Sequence, residues 1–198
     1  MLNEHREKFK QLSIKIGIIF SKTGLSPNQW TALSILPAII AAVLIVQHQF
    51  ILGAFFLGIA AFLDFVDGSV ARVTGRVTKF GAYFDTIVDR YIELAIITSL
   101  FFLELPQVLL PHRLWLLFYL FGSMMTTYAK AAAKEKDLVK TELKGGIMER
   151  AERMILLFMG ILGAAYNPII LPAILAVLAI GTNITALQRI IKAKNAKE

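Results

Sequence analysis

Residues 50 to 71 read F-I-L-G-A-F-F-L-G-I-A-A-F-L-D-F-V-D-G-S-V-A, and no residue before Asp64 in that run is charged. Coiled as a helix at about 1.5 Å per residue, the run covers the roughly 30 Å hydrocarbon core of a bilayer. Comparable runs occupy residues 28 to 47, 81 to 104, 112 to 130, 154 to 166 and 168 to 188. With 57% hydrophobic residues and a mean hydropathy of +0.65, the chain falls outside the soluble class. The pattern predicts an all-α integral membrane protein of one domain, residues 1–198, with six transmembrane helices bundled over 25–198. The run from Met154 to Tyr166 is short. It becomes long enough if its helix begins near Ile147 and carries Glu149, Arg150, Glu152 and Arg153 in its first turns.

Residues 1–24 do not resemble a cleavable leader, because Glu4, His5, Arg6, Glu7, Lys8 and Lys10 leave only a brief apolar patch. Read as a helix, they put Leu2, Phe9, Leu12, Ile16 and Ile19 on one side and the charges on the other. That is the pattern of an amphipathic helix lying in the membrane interface. The chain has no cysteine, which removes disulfides and thiolate metal sites.

The net charge of +7 has its explanation in the membrane. Of the 21 Lys and Arg residues, all but Arg90 and Arg113 lie before the first span, in the second and fourth connections, or after the last span. By the positive-inside rule both termini and these connections are cytoplasmic, and no nucleic acid is needed to account for the charge. Helix punctuation agrees. Ser26-Pro27 reads as a cap followed by a first helical residue, Asn167-Pro168 restarts the chain, and Pro37 and Pro172 fall within spans.

Against this background four carboxylates stand out. Asp64 and Asp67 are three residues apart near the end of the second span, and Asp85 and Asp89 four apart near the start of the third. Each pair therefore shares one helix face. Counted from Arg72 and Lys79, they lie roughly 7 to 15 Å into the cytoplasmic half of the membrane. A carboxylate at the centre of a lipid-facing helix costs about 2.5 to 3.5 kcal/mol, so these groups must face something polar. Crowded acids repel unless protonated or neutralised, and an all-oxygen set suits a hard ion such as Mg²⁺ or Mn²⁺. Gly68, Ala71 and Gly81 would let a ligand approach the backbone, or simply let helices pack closely. Arg72 could neutralise a phosphate or serve only as a topology-setting charge. Arg90 and Glu93 read as a structural pair within the third span.

Written as spacing, the stretch from Asp64 to Asp89 is D-x2-D-G-x2-A-R-x8-G-x3-D-x3-D. This resembles the signature of the CDP-alcohol phosphotransferase family at all eight specified positions. The layout of spans and the S-P-N-x-x-T start of the first span, with Ser26, Pro27, Asn28 and Thr31, extend the resemblance. It implies a membrane enzyme that moves a phosphatidyl-type group, diacyl or archaeol, from a CDP-linked lipid donor to an alcohol and releases CMP. It further implies that Asp64, Asp67 and Asp85 bind two divalent ions. Asp89 would contribute to that metal site and act as general base, while Gly68, Ala71, Arg72 and Gly81 would border the CDP moiety. The active site would open to the cytoplasmic side, and the assembly would be a homodimer.

The segments Y-A-K-A-A-A-K around Lys130 and G-G-I-M-E-R-A-E-R from Gly145 to Arg153 are similar to those of the phosphatidylinositol phosphate and archaetidylinositol phosphate synthase branch. That likeness implies inositol 1-phosphate as acceptor, its phosphate held by Lys130, Arg150 and Arg153, with Arg189 as a fourth candidate. Glycerol 3-phosphate, as in a phosphatidylglycerophosphate synthase, is the alternative acceptor. An ion or proton transporter is a remote alternative, disfavoured because the aspartates gather toward one side and no second half repeats them.

Overall fold

A computed structural model describes residues 2–141, 143 and 145–196, with side chains from residue 10 onward. Lys144, Lys197 and the side chains of Leu2, Glu4, His5, Arg6, Glu7, Lys8 and Phe9 lie outside the described residues. Eight helices follow one another among the described residues: α1 (Leu2–Ser21), α2 (Pro27–Leu33), α3 (Ile35–Val46), α4 (Phe50–Val73), α5 (Lys79–Phe101), α6 (His112–Glu135), α7 (Arg150–Ala164) and α8 (Ile170–Asn195). They divide into two compact units, residues 1–48 with 52–98 and residues 49–51 with 99–198.

In the first unit the chain enters α2 through a capping box. The Ser26 amide donates to Gln29 Oε1 at 2.7 Å, and the Gln29 amide donates back to Ser26 Oγ at 3.4 Å. Pro27 occupies the first turn, as its missing N–H predicts. The first apolar run is not one smooth helix. Pro37 offers no N–H to the carbonyl of Leu33 and its ring crowds that carbonyl, so the helix breaks at Ser34 into α2 and α3. Ala38, Ala60, Val88 and Ile92 form one core cluster, and Trp30, Val66 and Val70 a second, closed by Ile16, Phe20, Leu25, Leu33 and Leu63.

Helix α1 therefore belongs with this unit and does not stand apart. Among its described side chains Ser13 and Gly17 are buried and Ile16 and Phe20 half-buried, while Leu12, Ile14, Lys15, Ile18 and Ile19 are exposed. The apolar side expected to carry Ile16 together with Leu12 and Ile19 divides: Ile16 packs on the core and the other two are exposed, because small Ser13 and Gly17 allow α1 to close on α4.

The second unit rests on α6 packed against α8, with α7 on α8. Gly122 of α6 lies so close to Thr182 and Asn183 of α8 that a Cβ there would meet a backbone nitrogen at 2.9 Å. The Asn183 amide group uses that proximity to donate to the carbonyl of Phe118 at 2.9 Å. The segment between α6 and α7 is tied to α8, since Ile147 N–H donates to Gln188 Oε1 at 3.1 Å and Met148 N–H to Thr185 Oγ1 at 3.0 Å. Gly145 and Gly146 turn it there at φ +85° and +142°.

This corrects the expected start of the fifth helix near Ile147. Gly146 at φ +142° and Glu149, extended at φ −78° and ψ 178°, lie outside helical geometry, so α7 begins at Arg150. Its 15 residues span about 22 Å, short of a bilayer core. Pro172 falls in the first turn of α8, where its missing N–H breaks no bond. Among the described residues three helical stretches are, by length and composition, able to cross a membrane: Pro27–Val46, Phe50–Val73 and Ile170–Asn195. Helix α5 carries Asp85, Asp89, Arg90 and Glu93, which sets it apart from these apolar stretches.

The contact at Gly122 yields a test. Gly122→Ala must push α6 off α8, at about 1 to 3 kcal/mol for an overpacked site. We expect a lower midpoint for heat-induced unfolding in detergent, and Gly122→Leu should lower it further.

Candidate metal and phosphate site

In the first unit α4 and α5 follow each other through residues 74 to 78, so the end of one and the start of the other supply the carboxylates. Asp64, Asp67 and Asp85 each offer an oxygen within 4.8 Å of the other two. Asp67 is buried and the others half-buried. Three anionic oxygens at this separation are a donor set for a hard divalent cation. Asp89, one turn further along α5 and 7% exposed, lies outside this group of three. Its spacing of four residues keeps it on the same face, displaced by about 6 Å along the axis.

Thr31 of α2 sets the direction of one of these acids, its hydroxyl donating to Asp67 Oδ2 at 2.5 Å. Deletion of this donor would leave a buried carboxylate oxygen with one fewer partner. A cavity of about 360 Å³ opens beside the cluster. Of the sequence-predicted residues, Asp67, Gly68, Ala71, Arg72, Gly81 and Asp85 line it. Asn28, Thr31, Arg76 and Thr78 line it too, and of these the sequence had singled out only Asn28 and Thr31, as helix-start residues. A Cβ on Gly81 would come within 3.1 Å of Asn28 Oδ1 and 3.0 Å of Thr78 Oγ1, so glycine keeps this wall open. Arg72 reaches back along α4, with Nη2 donating to Ser13 Oγ at 2.8 Å and Ser69 Oγ at 3.3 Å. Arg90 and Glu93 form the expected ion pair within α5.

The predicted basic residues belong to the second unit. Arg153 and Arg189, 3% and 9% exposed, meet at Thr126 of α6. Arg153 Nη1 donates to the Thr126 hydroxyl at 3.2 Å, and Arg189 Nη1 to the Thr126 carbonyl at 2.7 Å. Arg189 Nε also donates to the Gly145 carbonyl at 3.4 Å. Lys130 stands one turn after Thr126 on α6 and Arg150 in the first turn of α7, both half-buried. Thr126 was not foreseen; nothing local to the sequence marks it.

Comparison with known proteins extends these observations. A family model described as CDP-alcohol phosphatidyltransferase matches residues 25–185. An archaetidylinositol phosphate synthase of Pyrococcus horikoshii is 34% identical over 198 residues, covering 100% of this chain and 99% of the relative. A phosphatidylinositol phosphate synthase of Corynebacterium glutamicum is 31% identical over 98% of this chain and 89% of its own length. Among solved structures, a phosphatidylinositol phosphate synthase of Mycobacterium tuberculosis with CDP-DAG bound is 25% identical, with a TM-score of 0.78 over 92% of this chain and 94% of that one. The same enzyme in complex with manganese and citrate gives a TM-score of 0.79 over 92% and 88%.

The role of Thr31 can be measured. Thr31→Val keeps the shape and removes the donor to Asp67; Mn²⁺ affinity, followed by the paramagnetic signal of the free ion, should fall about tenfold, as when the outer partner of a metal ligand is lost.

Proposed function

The chain belongs to the CDP-alcohol phosphatidyltransferase family, and from that premise we propose that it transfers a phosphatidyl-type group from a CDP-linked lipid to inositol 1-phosphate, releasing CMP. The observation that carries the chemistry is the convergence of Asp64, Asp67 and Asp85 beside a cavity lined by Gly68, Ala71, Arg72 and Gly81. The acceptor is inferred from relatives named archaetidylinositol and phosphatidylinositol phosphate synthases, which match nearly the whole chain.

In this reading Asp64, Asp67 and Asp85, with a contribution from Asp89, hold two ions, Mg²⁺ or Mn²⁺. Such ions, when bound, neutralise diphosphate charge and the charge that grows on departing CMP. Arg72 adds a fixed cation to the same wall, and Gly68, Ala71 and Gly81 let the nucleotide lie against the backbone. Asp89 takes the proton of the acceptor hydroxyl as its oxygen bonds to the lipid-bearing phosphorus. The bond from that phosphorus to the CMP oxygen breaks, and CMP leaves with the electron pair. Lys130, Arg150, Arg153 and Arg189 bind the acceptor phosphate. Arginine forks and a lysine suit such an anion.

We further read the chain as one catalytic membrane domain, residues 1–198, crossing the bilayer six times. Both termini and the active site face the cytoplasm, α1 lies in the interface, and two copies associate. Supporting this are the three apolar stretches able to cross and the one-sided distribution of Lys and Arg. Helices α5 and α6, 23 and 24 residues long, have the length to cross as well, with the acids of α5 turned inward, and the 15-residue α7 crosses with flanking residues carrying part of the depth.

The assay is CMP release by purified protein with Mg²⁺ and CDP-diacylglycerol or its archaeol analogue. We expect release to depend on inositol 1-phosphate, and Asp89→Asn to lower kcat about 10²- to 10⁴-fold. Release with glycerol 3-phosphate alone would overturn the acceptor, and the absence of release with every acceptor tested, from a folded metal-binding protein, would overturn the activity.

A further inference from the structure

Arg72 is an exposed arginine near the end of α4, a side chain that would ordinarily sample many rotamers. Here it is held. Its described hydrogen bonds all come from Nη2, to Ser13 Oγ at 2.8 Å and Ser69 Oγ at 3.3 Å. The two serine oxygens are themselves 2.9 Å apart. Ser69 Oγ also donates to the Phe65 carbonyl at 2.8 Å, and a hydroxyl has one proton to give. In the serine pair it is therefore Ser13 that donates and Ser69 that accepts, which leaves the Ser13 lone pairs directed at the guanidinium. The shorter of the two restraints on Arg72 comes from a different helix, 59 residues away in sequence.

Helix packing fixes where that hydroxyl stands. One turn after Ser13, Gly17 lies against α4 so closely that a Cβ would meet the Ser69 carbonyl oxygen at 2.5 Å. Nothing larger than glycine lets α1 approach this far, and Ser13 is 6% exposed as a result. The other arm of the guanidinium folds over Gly68, where a Cβ would come within 3.2 Å of Nη1. Gly68 is part of the cavity wall next to Asp67. Ser13 thus holds one edge of the guanidinium while another lies over the wall that the diphosphate would meet.

We infer that Ser13, on the N-terminal helix, is a positioning residue that aims Arg72 at the diphosphate of the CDP-linked donor. The inference rests on the reading of Arg72 given above. It assigns α1 a part in donor capture beyond any attachment to the membrane surface. A single hydroxyl–guanidinium bond tunes ground-state binding, so its loss should raise the donor Kd and KM and leave kcat and the acceptor KM unchanged.

The test is a double-mutant cycle on the full-length protein in detergent micelles, read as the Kd for CDP-diacylglycerol with Mg²⁺ present. Ser13→Ala should weaken binding about threefold to tenfold, the range of one net hydrogen bond. In an Arg72→Ala background the same change should do nothing more. A loss of equal size in both backgrounds, or none in either, would overturn the assignment, since α1 would then contribute packing or nothing. If Ser13→Ala does not fold, Ser13→Cys keeps nearly the same volume with a weak acceptor and should show the same coupling. Donor binding by the parent protein that is lost in Asp67→Asn keeps the proposed function standing whichever way the cycle falls; a parent protein that binds no donor removes both.

Discussion

Carboxylate oxygens held within 4.8 Å of one another repel by about 3 to 4 kcal/mol per pair at an effective dielectric near 20. Asp64, Asp67 and Asp85 are in that position, on helices otherwise apolar enough to seek lipid. The features around them answer this constraint. The chain from α4 to α5 is short enough to bring both acidic faces together. Thr31 commits its hydroxyl to Asp67, and Gly68 and Gly81 thin the wall beside the acids. Arg72 supplies a nearby cation whose direction is set by two serines. Divalent ions complete the balance of charge, and a diphosphate is the ligand such ions attract.

The acids were legible in the sequence because they break a strong pattern: a charge in an apolar run is conspicuous, and spacings of three and four place its neighbours on one face. The helix cap at Ser26 and the Arg90–Glu93 pair were legible because they are local. Contacts between distant residues were not. Thr31 and Asp67 are 36 residues apart, and Ser13 and Ser69 56 apart; each serine or threonine taken alone is an ordinary helix residue. Gly17 gave no signal because close packing of two helices leaves no periodicity. Spacing also grouped Asp89 with Asp85 more closely than the structure does, since one helical turn is itself about 5.4 Å of depth.

The second unit shows how one composition can hide two roles. Lys and Arg at the ends of spans ordinarily serve topology, and most of the described ones in this unit, Lys134 and Lys136 among them, are exposed. Arg153 and Arg189 are buried and converge on the two faces of one residue, Thr126. Burying a guanidinium is costly unless it is bonded, so this pair is distinguished from its neighbours by burial alone. The same unit ties down the segment ahead of α7. Thr185 and Gln188 of α8 take the amides of Met148 and Ile147, and the glycines before them make the turn that Arg189 grips at the Gly145 carbonyl.

The central claim is that three acids of one helical hairpin hold divalent metal against the phosphate wall. Anomalous diffraction at the manganese edge, from crystals of this protein grown with Mn²⁺ and CDP, tests it most directly. The account predicts signal at coordination distance from the carboxylates of Asp64, Asp67 and Asp85, with the nucleotide phosphates against the wall of Gly68 and Arg72. Ordered nucleotide with no anomalous peak at these three residues, or a peak held by other side chains, would contradict it.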